Sequence, residues 1–107
     1  MITAIVRYKL PATIGRRECR SHFLSIARSF GPIKGLIRKQ FIWNESGTAG
    51  GVYQWETAAD AQRFYQGEWL AGILQRYGNY PEIEYFTTFA ITENPGGVVT
   101  VVSEEDV

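Results

Sequence analysis

Most of the side chains that announce a protein's chemistry are scarce in this chain. Its 107 residues include one cysteine, Cys19. No disulfide can form within the chain, and a cysteine-rich metal centre is excluded. A lone thiol suits a reducing compartment, so the expected location is the cytoplasm. There is also one histidine, His22, and no carboxylate cluster stands at ligand spacing beside it. A metal is therefore not expected. Net charge is lacking as well, since 11 basic residues balance 11 acidic ones. That balance leaves no electrostatic footprint for nucleic acid. Nine of the basic residues fall within the first 39 positions, an asymmetry read as solvated surface. No apolar run is long enough to span a membrane. The opening MITAIVRYKLP is short, carries Arg7 and Lys9, and reads as a strand rather than a signal peptide. The glycines at 47, 50 and 51 make no phosphate loop, because no Lys-Ser/Thr follows and no helix opens there.

What the chain has in quantity is rings: three Trp, six Tyr and six Phe. The stretch GGVYQWETAADAQRFYQGEWL alone holds five, first at strand spacing and then at helix spacing. A chain of this length makes one domain. It buries about two thirds of its unfolded surface, so its core is sufficient but thin.

Periodicity gives the element order. Residues 2 to 9 alternate, with Ile2, Ala4, Val6 and Tyr8 on one side of a strand. Residues 15 to 30 place Cys19, His22, Phe23, Ile26, Ala27 and Phe30 on one helical stripe, which Gly31-Pro32 ends. GLIRKQFIWN is a second strand. Ile37, Lys39, Phe41 and Trp43 share one face, and Leu36, Arg38, Gln40 and Ile42 the other. The polar loop NESGTAGG leads into a third strand, GVYQWE. Thr57 caps a helix with Asp60 three residues on. That helix turns Ala61, Phe64 and Tyr65 inward and breaks at Gly67. A further helix, EWLAGILQRYG, presents Trp69, Leu70, Ile73, Leu74 and Tyr77. A fourth strand is predicted through EIEYFTTFAITE, followed by a turn at Asn94-Pro95-Gly96-Gly97. The tail opens as a possible fifth, edge strand and ends in acids expected to fray. The order β-α-β-β-α-β is the ferredoxin-like plan, an α+β fold whose four-stranded antiparallel sheet carries its helices on one face. The domain is placed at 1–94, with 95–107 as a C-terminal extension. The sheet's second face reads as too apolar to stay wet, which predicts a face-to-face homodimer of twofold symmetry.

The run GLIRKQFIW, a polar loop, GGVYQWE, a helix ending near EWLAGILQRYG and a last strand PEIEYFTTF resembles the mono-oxygenase group of the dimeric α+β barrel superfamily, related to the antibiotic-biosynthesis mono-oxygenases. The resemblance spans roughly residues 1 to 94. It implies a homodimer whose two sheets form a barrel, with one aromatic ligand pocket per subunit between the sheet and its own helices. It further implies an oxidoreductase that oxygenates a small planar aromatic or polyketide-like compound with O₂ and without metal or flavin. Haem-degrading relatives carry an axial histidine on the second helical region, where this chain has none.

Candidate site residues follow. Phe23, Trp43, Tyr53, Trp55, Phe64, Tyr65, Trp69 and Tyr77 either fill the core or line a cavity for a flat ligand; the buried polar atom on each Tyr and Trp wants a partner in both cases. His22 is either a general base for a phenolic substrate or a hydrogen-bonded, half-buried histidine. Lys39 either stabilises a phenolate or enolate or snorkels to the barrel end. Arg38 lies on the opposite face of its strand and competes with Lys39 for the pocket side; the pattern leaves that choice open, as it does for Arg7. Cys19 is expected to be an inert, buried thiol. The resulting expectation is a cofactor-independent mono-oxygenase with His22 as base and Lys39 or Arg38 as anion stabiliser. The alternative from another class is a dimeric small-molecule-binding or stress-response protein without turnover.

Overall fold

Strand β1 (Ile2–Lys9) buries Ile2, Ala4, Val6 and Tyr8 and turns Thr3, Ile5 and Arg7 to its other face. This is the period-two pattern of a strand with one covered side. The computed structural model describes residues 1–103, and the acids expected to fray lie outside them. After β1 come α1 (Arg16–Ile26), a 3₁₀ turn at Ala27–Phe30, β2 (Leu36–Trp43) and β3 (Thr48–Trp55). Then follow α2 (Ala58–Phe64), α3 (Glu68–Tyr77), β4 (Glu82–Thr87), β5 (Ala90–Glu93) and β6 (Val98–Val101). Four strands form one sheet in the order β2-β3-β1-β4, and every pairing in it is antiparallel. The helices pack on the face that carries Ala4, Val6, Tyr53 and Trp55. This is the expected ferredoxin-like α+β fold.

Local chemistry sets the boundaries. The Thr57 hydroxyl accepts from the Asp60 backbone N–H at 3.1 Å and donates to the Asp60 carboxylate at 2.8 Å, which starts α2. Gly78 closes α3 in the left-handed conformation, its N–H donating to Leu74. At Gly50 the strands β1 and β3 approach so closely that a Cβ would sit 1.8 Å from the Val6 carbonyl oxygen.

Two expectations need correction. First, β2 is irregular: Leu36 pairs with Trp55, but Arg38 rather than Ile37 pairs with Gln54. The extra residue is a bulge. It moves Leu36 onto the helix-facing side and leaves Ile37, expected to share a face with Lys39, 46% exposed. Second, the predicted strand from 82 to 93 is two strands. Thr88 is drawn to the start of β1, its N–H donating to the Met1 carbonyl at 3.1 Å and its hydroxyl 2.7 Å from that of Thr3. The chain leaves the sheet there. β5 then pairs with β6 in a separate two-stranded hairpin. The tail strand is therefore not an edge of the main sheet, and the hairpin joins residues on either side of position 94.

The sheet's outer face is mixed. Ile5, Val52 and Phe86 alternate with Arg7, Arg38 and Glu84, and Arg7 pairs with Glu84 at 3.4 Å. The hairpin adds exposed Val98, Val99 and Val101. No helix among the described residues is long and apolar enough to cross a membrane.

Candidate functional site

A cavity of about 540 Å³ opens between the inner face of the sheet and helices α1 and α3. Its floor is Tyr8 from β1, Lys39 from β2 and Tyr53 from β3, and its walls come from both helices. Buried Cys19 and Phe23, four residues apart, seat α1 on the sheet. That seating brings His22 to the cavity's edge beside Phe23. On α3, buried Ile73 and Tyr77 do the same and leave Trp69 on the wall. Tyr77 stacks on Tyr8 with ring centroids 4.3 Å apart.

Lys39 is the charge-bearing group set deepest among the rings. Its Nζ lies 3.6 Å from the Phe30 ring centroid, 3.9 Å from Phe41 and 4.7 Å from Tyr53. Gly51 makes room for the stem: a Cβ there would come within 2.8 Å of both Lys39 Cε and Tyr53 Cε1. Among the described residues no carboxylate pairs with this ammonium. Burial disfavours the cation and draws the Lys39 pKa down to about 7.

His22, Tyr8, Tyr53 and Cys19 are held neutral. Burial lowers the His22 pKa below its usual value, and the positive charges of Arg76 and Lys39 lower it further. The imidazole is thus a free base at neutral pH. Burial pushes the Tyr8 and Tyr53 hydroxyls far above the ordinary phenol range, so both stay neutral and can donate hydrogen bonds; a hydrogen bond from Trp69 partly offsets the rise at Tyr53. Burial also raises the Cys19 thiol, opposed by Arg76, which leaves little thiolate for nucleophilic work. Among the described residues no three His, Cys, Asp or Glu side chains gather as a metal-binding group.

Of the sequence-predicted set, His22, Phe23, Lys39, Tyr53, Trp69 and Tyr77 come together around this cavity. The others do not. Arg38 sits on the outer face, 3.7 Å from Glu93 of the hairpin, because the strand that turns Lys39 inward turns its neighbour outward. Trp43 lies under the guanidinium of Arg16, 5.4 Å from its centroid. Trp55 is fully buried and donates its indole N–H to the Tyr65 hydroxyl at 3.0 Å; these two rings are core. Phe64 lines a second cavity of about 510 Å³, which shares Phe30, Glu68 and Trp69 with the first.

Sequence reasoning passed over Tyr8, Phe30, Gly51 and Arg76 as site residues. Tyr8 and Phe30 fall on the apolar faces of their elements, so their signal was present but reads as core. Gly51 and Arg76 carry no such signal, since their roles depend on which elements meet.

No protein-family model matches the chain, and no curated protein is significantly similar to it. Solved structures are. A protein of unknown function from Nitrosomonas europaea superposes with a TM-score of 0.68 at 17% identity, over 89% of this chain and 95% of that one. A presumptive antibiotic biosynthesis monooxygenase from Deinococcus radiodurans gives 0.63 at 12% identity, over 82% and 92%. Another from Caulobacter crescentus gives 0.59 at 14% identity, over 79% and 86%. The chain shares the fold of these proteins. Two of the three carry the name of the group that its strand and helix motifs resemble. At such identities the likeness is one of fold, and reaction has to be argued from the site.

Proposed function

We propose that this protein is a cofactor-independent mono-oxygenase of a small planar aromatic or polyketide-like compound. One observation carries the reading: a carboxylate-free Lys39 and a neutral His22 border the same ring-lined cavity. The cavity's size and aromatic walls suit a flat ligand. His22 takes the acidic proton of a phenol, enol or anthrone-like CH₂ group. The ammonium form of Lys39 and the neutral hydroxyls of Tyr8 and Tyr53 stabilise the anion that results. The electron-rich anion passes one electron to O₂, the radical pair combines to a peroxide anion, and the imidazolium of His22 returns its proton to give the hydroperoxide. Loss of water then leaves a carbonyl, so that a CH₂ group and O₂ become C=O and H₂O. The protein's part is to bind, deprotonate and desolvate.

The working form is proposed to be a homodimer. The apolar residues interleaved on the outer face, together with those of the hairpin, support this reading. Tryptophan-fluorescence titration against planar phenols, quinones and anthrones, followed by oxygen-uptake measurements on whatever binds, tests the proposal. Saturable quenching with oxygen uptake supports it. Saturable binding without uptake selects the non-catalytic small-molecule-binding alternative.

A further inference from the structure

Lys39 has two features that anion stabilisation alone does not require, and a third that both roles share. Its stem runs through a slot that the missing side chain at Gly51 leaves open. Its amine is surrounded by ring faces rather than by carboxylates, and it stands on the wall of a cavity large enough for a second molecule. A lysine used only for its charge is better served by water or a counter-ion, since a desolvated ammonium is costly. A desolvated lysine among apolar groups is the setting in which the amine becomes a nucleophile toward carbonyl compounds.

We infer that Lys39 captures planar aromatic aldehydes or ketones as an imine, an activity separate from oxygenation. The Nζ lone pair attacks the carbonyl carbon, the C=O π pair becomes an alkoxide, and a proton from the amine neutralises it. The carbinolamine hydroxyl then takes a second proton and leaves as water, while the remaining N–H proton is released. One carbonyl compound and one amine thus give one imine and one water, with no oxidant or reductant. Tyr8 and Tyr53, kept as neutral phenols by burial, are placed on the cavity floor to hydrogen-bond the departing hydroxyl, which takes its proton from solvent, and neutral His22 to collect the released proton.

The amine is half-neutral near pH 7, so capture strengthens on going from acid through neutrality. The titratable groups that share the cavity with it are His22 on α1, Tyr8 on β1, Tyr53 on β3, and Glu68, Arg76 and Tyr77 on α3. Of these, His22 also loses its positive charge in acid-to-neutral solution, which further favours attack.

The test is reductive trapping. The native protein is incubated with salicylaldehyde at neutral pH, reduced with borohydride and mapped by peptide mass spectrometry. The adduct has the mass of the aldehyde less one oxygen atom. The chain's other lysines, Lys9 and Lys34, are both exposed and serve as internal controls. The expected result is labelling of Lys39 at least about tenfold above Lys34 at pH 7, falling in acid and lost when the protein is unfolded in urea. Labelling spread over Lys9, Lys34 and the α-amine, with Lys39 unmodified, overturns the inference. The comparison is made within wild-type protein, so it does not depend on a variant that folds. Selective labelling without oxidation of any phenol sinks the oxygenase reading and leaves this one standing; phenol oxidation without selective labelling does the reverse.

Discussion

The Nζ of Lys39 stands 3.6 Å from the centroid of the Phe30 ring. Two opposed effects meet in that contact. Ring faces attract a cation, by about 0.5–2 kcal/mol where water is excluded. Loss of hydration costs an ammonium several kcal/mol even after the protein relaxes. The larger effect wins, and the pKa falls to about 7.

Stability should record that outcome. In the unfolded chain Lys39 titrates near its ordinary value of 10.5. Between about pH 7 and 10.5 the unfolded state binds more protons, so stability rises with pH across that window. Below it both states are charged, and the cost of burying the cation is present in full. Lys39→Met should therefore raise stability by about 2 kcal/mol at pH 6, with the gain shrinking toward pH 10. Denaturant melts of both proteins at several pH values measure it. A gain that does not depend on pH would mean that packing, not charge, is responsible.

His22→Gln keeps a polar side chain of similar reach and removes the base. With a substrate found by titration, kcat should fall by roughly 10²–10⁴-fold, while ligand affinity stays nearly level. In the wild type, kcat/KM should drop on an acid limb lying below 6.5, because the His22 pKa is lowered. An unchanged rate in the variant would remove His22 from the chemistry.

Two tryptophans should behave oppositely. Trp55→Phe removes the donor to the Tyr65 hydroxyl in the core, a loss of about 1–3 kcal/mol of stability with little change in ligand affinity. Trp69→Leu, at the cavity wall, should weaken an aromatic ligand about tenfold, or about 1.4 kcal/mol. Urea melts and fluorescence titrations of the two variants separate core from pocket.

Adjacent glycines should differ too. Gly51→Ala pushes against the flexible stem of Lys39 and the Tyr53 ring; a loss of about 1–3 kcal/mol is expected, along with weaker trapping at Lys39. Gly50→Ala drives a methyl into the Val6 backbone carbonyl, which has no side-chain freedom to yield. It should be the more destabilising of the two by urea denaturation.

The fold was largely legible because its signals are local. The alternation of Ile2, Ala4, Val6 and Tyr8, the stripe through Cys19 and Phe23, and the cap at Thr57 each depend on a few neighbouring residues. The split at Thr88 was not legible, because its cause is a bond to Met1 and a contact with Thr3 at the far end of the chain. The site was half legible. Aromatic positions could be listed, yet Trp55 and Tyr65 as core and Trp69 and Tyr77 as wall look alike in sequence. What separates them is which element lies across from each, a long-range fact. The choice between Lys39 and Arg38 turned on the register of β2 against β3, which no count within β2 alone reveals.

That register has a bearing on how such chains are compared. Because of the bulge, Leu36 and Lys39 face the same way although an odd number of positions separates them. Removing Ile37 would straighten the strand without disturbing any pair beyond it. An alignment drawn through β2 with no gap would then set this lysine beside the wrong residue of a straight-stranded cousin. The meaningful correspondence across such proteins is spatial: whichever side chain stands opposite Tyr53.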